Sequence, residues 1–487
     1  TMIKLIIKQA NWGIFGSIFG FSIGFFVKIY LLDIVGLEVW GKYVSAHTFS
    51  GAISTILSFG IPWVIIKYIP QYIDTDLASA RQLIRKILIY SIIISLIFLV
   101  LIYFLAPVLD IYIYKKINNF SLILLLVSIN VPISILMGII TSLYRSVFKI
   151  KEIMLYGTFI IVPLRATLTC FIFMYTDNIL YFVGIELLTT FLSLFLLFLL
   201  FNKNEFPIIF VKKDPNFQIN SEIKGYAKKM YANTLVTFFA GESLSLILSF
   251  MLPATYIGVY SILLSVSGVT LFLITNLNTI FAPAISKLYS ENRMDELENL
   301  FKTTTFIINF LAIPFIISII IFSKDILYLY DKTGTLVRYV PYLYIIIFGR
   351  ISRLLVGAAG SILVMANLER YELRLQFFKA LLINILAILL ISKYKLLAAV
   401  ILFSLFSLLS EIYRIIIIYI KLKIHPFSTP LYLLTFLSIP FMYIAMNHEL
   451  DFKIVHFFLI PILLYCFYAL IFFKQIKLVY LDMVNKH

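Results

Sequence analysis

The sequence predicts an all-α polytopic membrane protein of about 14 transmembrane helices. Three observations predict it. Hydrophobic residues make up 62% of the 487 and charged residues only 13%, more apolar surface than a water-soluble domain hides. The apolar residues come in runs of about 20, the length at which a helix crosses a hydrocarbon core of ~30 Å, whereas a barrel would show alternating segments of about ten. Lys and Arg are also shared unevenly between alternate loops, as the positive-inside bias requires.

Taken in order, the spans fall at roughly 10–32, 43–66, 87–106, 120–144, 153–176, 179–201, 229–250, 256–282, 303–323, 339–366, 372–392, 396–420, 427–446 and 454–473. The first run lacks a small-residue cleavage pattern and continues into GLEVWGKY, so it is expected to be a span and not a removed leader. With the N-terminus placed in the cytoplasm and span-end residues counted with the loops, the cytoplasmic side holds 27 Lys and Arg and the outer side 9. The other four, Lys28, Arg165, Arg350 and Arg353, lie within spans. This bias puts both termini in the cytoplasm. It also accounts for most of the +16 net charge without a nucleic-acid partner. The expected location is the cytoplasmic membrane of a prokaryote, since Ile-, Lys- and Tyr-rich usage fits an AT-rich genome.

The two cysteines, Cys170 and Cys466, sit in apolar runs and form no disulfide framework or metal-ligand spacing. No metal site, cofactor or catalytic residue is expected. Asp33 and Glu38 in the first outer loop could imitate the acids of a membrane glycan polymerase. However, no outer loop exceeds about 16 residues, too little for the outer domain such enzymes need, and the chain is read as a transporter and not an enzyme.

A shift of 217 residues lays GKYVSAHTFSG (41–51) over GVYSILLSVSG (258–268). Gly41 meets Gly258, Tyr43 meets Tyr260, Ser50 meets Ser267 and Gly51 meets Gly268. The same shift puts Tyr72 on Tyr289, Leu83 on Leu300 and Arg85 on Lys302, and lays spans one to six over seven to twelve without a gap. Six is even, so both halves enter the membrane in the same direction, as parallel repeats do, with substrate expected between them near mid-depth. The expected organisation is an N-lobe over 1–202, a cytoplasmic linker over 203–228, a C-lobe over 229–422, and spans thirteen and fourteen with a cytoplasmic tail over 423–487.

GLEVWGKY before span two, GVYSILLSVSG in span eight, NLNTIFAPAISKLYSENRMDELENLF (276–301) and MANLERYE (365–372) together resemble the polysaccharide-export branch of the multidrug/oligosaccharidyl-lipid/polysaccharide (MOP) flippase superfamily. The resemblance covers roughly residues 10–425 and points to flippases of the Wzx type. It implies two six-helix lobes around a central cavity, with two further helices here. It also implies movement of a polyprenyl-diphosphate-linked oligosaccharide from the cytoplasmic to the outer leaflet by alternating access, for O-antigen, capsule or exopolysaccharide synthesis. Lipid II flippases and MATE drug exporters are relatives and supply the alternatives. The implied partners are the lipid-linked glycan, membrane lipids and other polysaccharide-assembly membrane proteins. The chain departs from the family at Gly36-Leu37-Glu38, where Pro is common, and at Glu242, where span seven commonly carries Asp.

An intramembrane charge costs about 2.5–3.5 kcal/mol on insertion scales, so each needs a reason. Arg350, Arg353, Gly357 and Gly360 are spaced i, i+3, i+7, i+10 and are expected on one helical face. That face is either a cationic lining for a diphosphate, which the planar guanidinium grips in bidentate fashion, or a structural set bonded within a lobe. Gly16, Gly20 and Gly24 form a small-residue packing stripe that points Lys28 inward, either to the same cationic cavity or to snorkel at the interface. Glu242, on a face with Ser245 and Ser249, is the candidate for coupling to Na⁺ or H⁺; its alternative is a partner for a cation. Arg165 and Glu186, at comparable depth on adjacent spans, are expected to form a structural ion pair. His47 and Ser245 are candidate polar groups of the cavity. These cations outnumber the acids Glu186 and Glu242, although Glu411 narrows the margin. This balance favours an anionic substrate over the organic cation of a drug exporter.

Overall fold

The computed structural model describes residues 2–117, 120–208, 217–447 and 454–473. The described residues are helical, with no strand among them. In chain order the helices are α1 (Met2–Leu57), α2 (Ile61–Thr75), α3 (Leu77–Tyr112), α4 (Ser121–Ser128), α5 (Asn130–Ser146), α6 (Ile150–Met154), α7 (Ile161–Ile172) and α8 (Ile179–Asn204). They continue with α9 (Ser221–Gly241), α10 (Ser243–Met251), α11 (Ala254–Ser290), α12 (Met294–Ile321), α13 (Ser323–Tyr330), α14 (Val340–Val356), α15 (Ala359–Met365), α16 (Glu369–Leu422), α17 (Thr429–Asn447) and α18 (Ile454–Ile471). A wide π turn at Leu155–Phe159 joins α6 to α7.

Nine stretches among the described residues are long and apolar enough to cross a membrane, and α9 with α10 forms a tenth, bent by 54°. Two of the nine, Phe15–Leu57 and Glu369–Leu422, hold 43 and 54 residues. At 1.5 Å per residue these would reach ~65 and ~80 Å if straight, twice what a bilayer core takes. Each is broken once. Gly36 (φ 77°, ψ 167°) divides α1, in a conformation open essentially to glycine alone. Lys395 (φ 53°, ψ −132°) divides α16. The expected spans one and two, and eleven and twelve, are the arms of these two helices.

The chain forms two compact units. One comprises Thr1–Val259 with Ala380–Lys393, the other Tyr260–Lys379 with Tyr394–His487. The core of the first is a cluster from α2, α3, α5 and α8, including Ile65, Ile69, Ile84, Val131, Leu143, Leu197 and Phe201. Phe206 and Ile208 join this core, and the Lys86 ammonium donates to the Phe217 carbonyl. The described parts of the 203–228 segment therefore pack on the unit; residues 209–216 lie outside the described set. The second unit has a core around Leu297, Phe301, Ala359, Ile362, Leu363 and Ile418. In it α17 and α18 pack on α12, fixed by Tyr465 donating to the Leu311 carbonyl at 2.5 Å and by a Ser438–Tyr468 hydroxyl pair at 2.8 Å. The tail over 474–487 is outside the described residues.

Candidate functional site

In the first unit the glycine stripe of α1 does two things. A Cβ at Gly16 would meet Met154, and one at Gly20 would meet Thr158, so these two let α1 close on the α6–α7 span. Gly24 has open space beside it. Gly20, Gly24, Lys28, Trp40, Arg165 and Phe182 line a pocket of about 240 Å³. The Lys28 ammonium sits 5.6 Å from the centre of the Trp40 ring, a cation–π distance. The pocket thus joins cations from two spans, α1 and α7, with aromatic walls.

Behind Arg165 lies a carboxylate hub. Glu186, 8% exposed, accepts a hydrogen bond from the Tyr43 hydroxyl at 2.9 Å. Its Oε1 is 3.9 Å from an Arg165 nitrogen and 3.7 Å from His47 Nε2. Arg165 Nε donates to Thr189 Oγ1 at 2.9 Å and its Nη2 to Thr190 Oγ1 at 2.8 Å, so one face of the guanidinium is fixed by α8. His47 has no acid near it in the sequence; the fold supplies one from 139 residues away.

In the second unit α14 meets the second arm of α16 closely. A Cβ on Gly349 would fall 2.7 Å from Ser404 Cα, and Ser404 and Ser407 hydroxyls donate to the Ile345 and Gly349 carbonyls at 2.5 and 2.7 Å. This approach seats the Arg350 guanidinium over the Phe403 ring, 4.6 Å from its centre. Arg350 Nε is buried and has no hydrogen-bond partner. No carboxylate lies within ion-pair distance of Arg350 or Arg353 among the described residues.

The expected single face through Arg350, Arg353, Gly357 and Gly360 is corrected. The helix breaks at Gly357 (φ 58°, ψ −116°), where a Cβ would fall 2.5 Å from Thr305 Oγ1. Asn309 Nδ2 donates to the Leu354 carbonyl at 2.8 Å, satisfying a group at the break. Gly360 lies instead against Arg414. Glu242 stands at the 54° bend between α9 and α10, is exposed, and its carbonyl accepts from Ser245 N at 3.1 Å. Ser249 is buried and its hydroxyl donates to the Leu246 carbonyl at 2.7 Å.

The sequence reading missed a charge cluster. Glu372 takes a two-pronged bond from Arg414 (2.9 and 2.5 Å), and Arg414 also donates to Glu411 at 2.5 Å. Arg353 and Lys379 are the further charges that feel these carboxylates. Three cations therefore face two acids, both already held by Arg414. The loop count of the sequence takes in Lys379 and Arg414, although α16 carries both. Among the described residues no group of three or more His, Cys, Asp or Glu could hold a metal ion.

The polysaccharide biosynthesis protein family model matches residues 6–289 and the MatE family model residues 230–390. None of the curated proteins matches the chain. Among solved structures, the lipid II flippase MurJ in an inward closed conformation superimposes with a TM-score of 0.72 at 15% identity, over 95% of this chain and 99% of that one. An inward-facing multidrug resistance MATE family transporter of the MOP superfamily gives a TM-score of 0.64 at 14% identity, over 83% and 94%. A MOP superfamily transporter from Pyrococcus furiosus, described as having a binding pocket of reversed polarity, gives 0.60 at 13%, over 86% and 96%. The fold is thus that of the MOP superfamily transporters, and with more than half of its length matched by one family model, the chain belongs to the polysaccharide biosynthesis protein family.

Proposed function

We propose that this protein is a flippase that moves a polyprenyl-diphosphate-linked oligosaccharide from the cytoplasmic to the outer leaflet by alternating access, for surface polysaccharide synthesis. The observation that carries the reading is Arg350: a guanidinium inside the membrane-spanning part, stacked on Phe403, with a buried Nε left unpartnered and no acid to neutralise it. Leaving a buried donor unmet costs about 1–3 kcal/mol or more for a charged group, and a phosphate oxygen would satisfy it. Arg353, one turn away and exposed, adds a second fork. Lys28, opening on the aromatic-walled pocket of the first unit, offers a further anionic subsite, while Arg165 on the same pocket is paired with Glu186. Rings there suit sugar faces as well as cations. The prenyl tail stays in lipid while the headgroup passes. Glu242, at the bend of a span, is the group assigned to Na⁺ or H⁺ coupling, and both termini are assigned to the cytoplasm.

Native mass spectrometry of the purified protein tests this. The wild type should carry a polyprenyl-diphosphate glycan and Arg350→Ala/Arg353→Ala should lose it. Retention by the double variant would return both arginines to a structural role. Organic cations in place of the lipid on both forms would favour drug export, the reading that the MatE match over 230–390 keeps open.

A further inference from the structure

We infer that the paired ends of α16 form a binding site for an anionic glycerophospholipid, separate from the transported substrate. The break at Lys395 folds α16 back on itself, so its first and last turns lie side by side. The Tyr371 ring is the meeting point: Arg370 lies 5.0 Å from its centre, Arg374 5.9 Å and Lys421 5.6 Å. Arg370 Nη2 also donates to the Tyr371 hydroxyl at 3.4 Å. Lys423, just past the helix end, sits 5.6 Å from the Tyr419 ring. Four cations thus ring two tyrosines, and Arg370, Arg374, Lys421 and Lys423 are all exposed. The acids nearby do not neutralise them. Glu372 is held by Arg414 and Glu298 by Lys302 and His425, and among the described residues none of the four cations makes an ion pair.

The chemistry beside the patch identifies the occupant. Moving from the cations along each arm, the exposed side chains turn apolar at helical spacing: Phe377 (54% exposed) and Phe378 (58%) follow Arg370 and Arg374, and Ile416 (49%) and Ile420 (52%) precede Lys423. A soluble phosphate would need only the cations. A molecule with one phosphodiester and two acyl chains matches both halves, phosphate on the guanidinium forks and chains along the apolar stripes. Lys and Arg clustered at the ends of transmembrane helices are the usual seat of acidic headgroups. The tyrosines suit the interfacial level, and with the termini in the cytoplasm the site faces the inner leaflet.

The test is native mass spectrometry of the full chain in detergent, titrated with equimolar phosphatidylglycerol and phosphatidylcholine of matched chains. The wild type should retain phosphatidylglycerol preferentially. Arg370→Gln/Arg374→Gln/Lys421→Gln should lower that preference on the order of tenfold, while Lys115→Gln/Lys116→Gln/Lys332→Gln, with the same change in net charge, should leave it intact. Arg374→Gln alone, expected to lose part of the preference, serves if the triple variant does not purify as a monodisperse protein. The assignment is overturned if the variants keep the wild-type preference, if the distant triple variant loses it equally, or if 10 mM inorganic phosphate abolishes it.

Discussion

Gly41 and Gly258 pack backbone against backbone. A Cβ built on Gly258 would lie 3.3 Å from Gly41 N and 2.6 Å from the Leu37 carbonyl oxygen, and one built on Gly41 would overlap the Ala254 carbonyl. These are the two glycines that the 217-residue offset places on each other, so one residue of each repeat occupies the same crossing of α1 and α11. Neither tolerates a side chain, because the obstacle is backbone and not a flexible side-chain end. Gly41→Ala is expected to destabilise by about 1–3 kcal/mol, the usual cost of overpacking a rigid contact. Gly51→Ala, in the same helix with open space around it, should be neutral or stabilise by up to about 1 kcal/mol through helix propensity. Thermal unfolding of both variants in one detergent checks the contrast.

Glu186 is the acid on which Tyr43, His47 and Arg165 converge. Glu186→Gln removes the charge and leaves Arg165 inside the membrane part without its counter-ion. The expected loss is on the order of 3 kcal/mol, reduced where water reaches the Arg165 side chain, which is 29% exposed. Arg165→Gln/Glu186→Gln should recover part of that loss, because no uncompensated charge remains. A double-mutant cycle measured by denaturant unfolding reads the coupling. If the double variant is as unstable as the sum of the singles, the two side chains are not coupled.

Outside the membrane part, Asp76 caps α3. Its carboxylate accepts from the Ser79 hydroxyl at 2.5 Å and the Ser79 amide at 3.2 Å. The Ser79 side-chain bond first, and the backbone bond second, hold the carboxyl below its ordinary range. A folded-state value below the unfolded one stabilises above the unfolded pKa of about 3.9. That contribution is lost as pH falls through the folded-state value. Asp76→Ala should therefore lower the melting temperature at pH 7 and lower it less at pH 3, while Asp76→Asn, still a capping residue, should keep most of the wild-type stability at pH 7.

Much of this was legible because lipid imposes length and polarity. Twenty-residue apolar runs marked the spans, and the comparable depths of Arg165 and Glu186 on adjacent spans anticipated two side chains that lie 3.9 Å apart. The glycine spacing of span one showed a packing stripe, and Gly16 and Gly20 do meet α6 and the turn after it. The breaks were not legible. Span seven bends at Glu242 and span ten breaks at Gly357 with no proline in either place, and the second break is met by a partner elsewhere in the chain. Asn309, 45 residues from Leu354, is that partner. The Glu372–Arg414–Glu411 cluster was hidden for a related reason. Its members lie near span ends, where charge is ordinarily solvated, and only the reversal of α16 at Lys395 brings residues 372 and 414 together.

The same offset that pairs Gly41 with Gly258 pairs Glu186 with Phe403. In the first unit the position holds the carboxylate that faces Arg165; in the second it holds the ring under Arg350. One arginine is therefore neutralised by protein and the other is not, although the arginines themselves are not related by the offset, which lays Arg165 on Leu382. Phe403→Glu should place an acid beneath Arg350, as Glu186 stands beside Arg165. The neutralised guanidinium would no longer need an outside anion. Stability should hold within about 1–2 kcal/mol, since a new buried pair roughly offsets its own desolvation, while the polyprenyl-diphosphate lipid proposed as the substrate should be lost as completely as in Arg350→Ala. Phe403→Leu, which removes the ring without adding charge, should keep the lipid. Native mass spectrometry of the three variants decides the matter. Lipid retained by Phe403→Glu at wild-type level would mean that the charge of Arg350 does not hold the diphosphate.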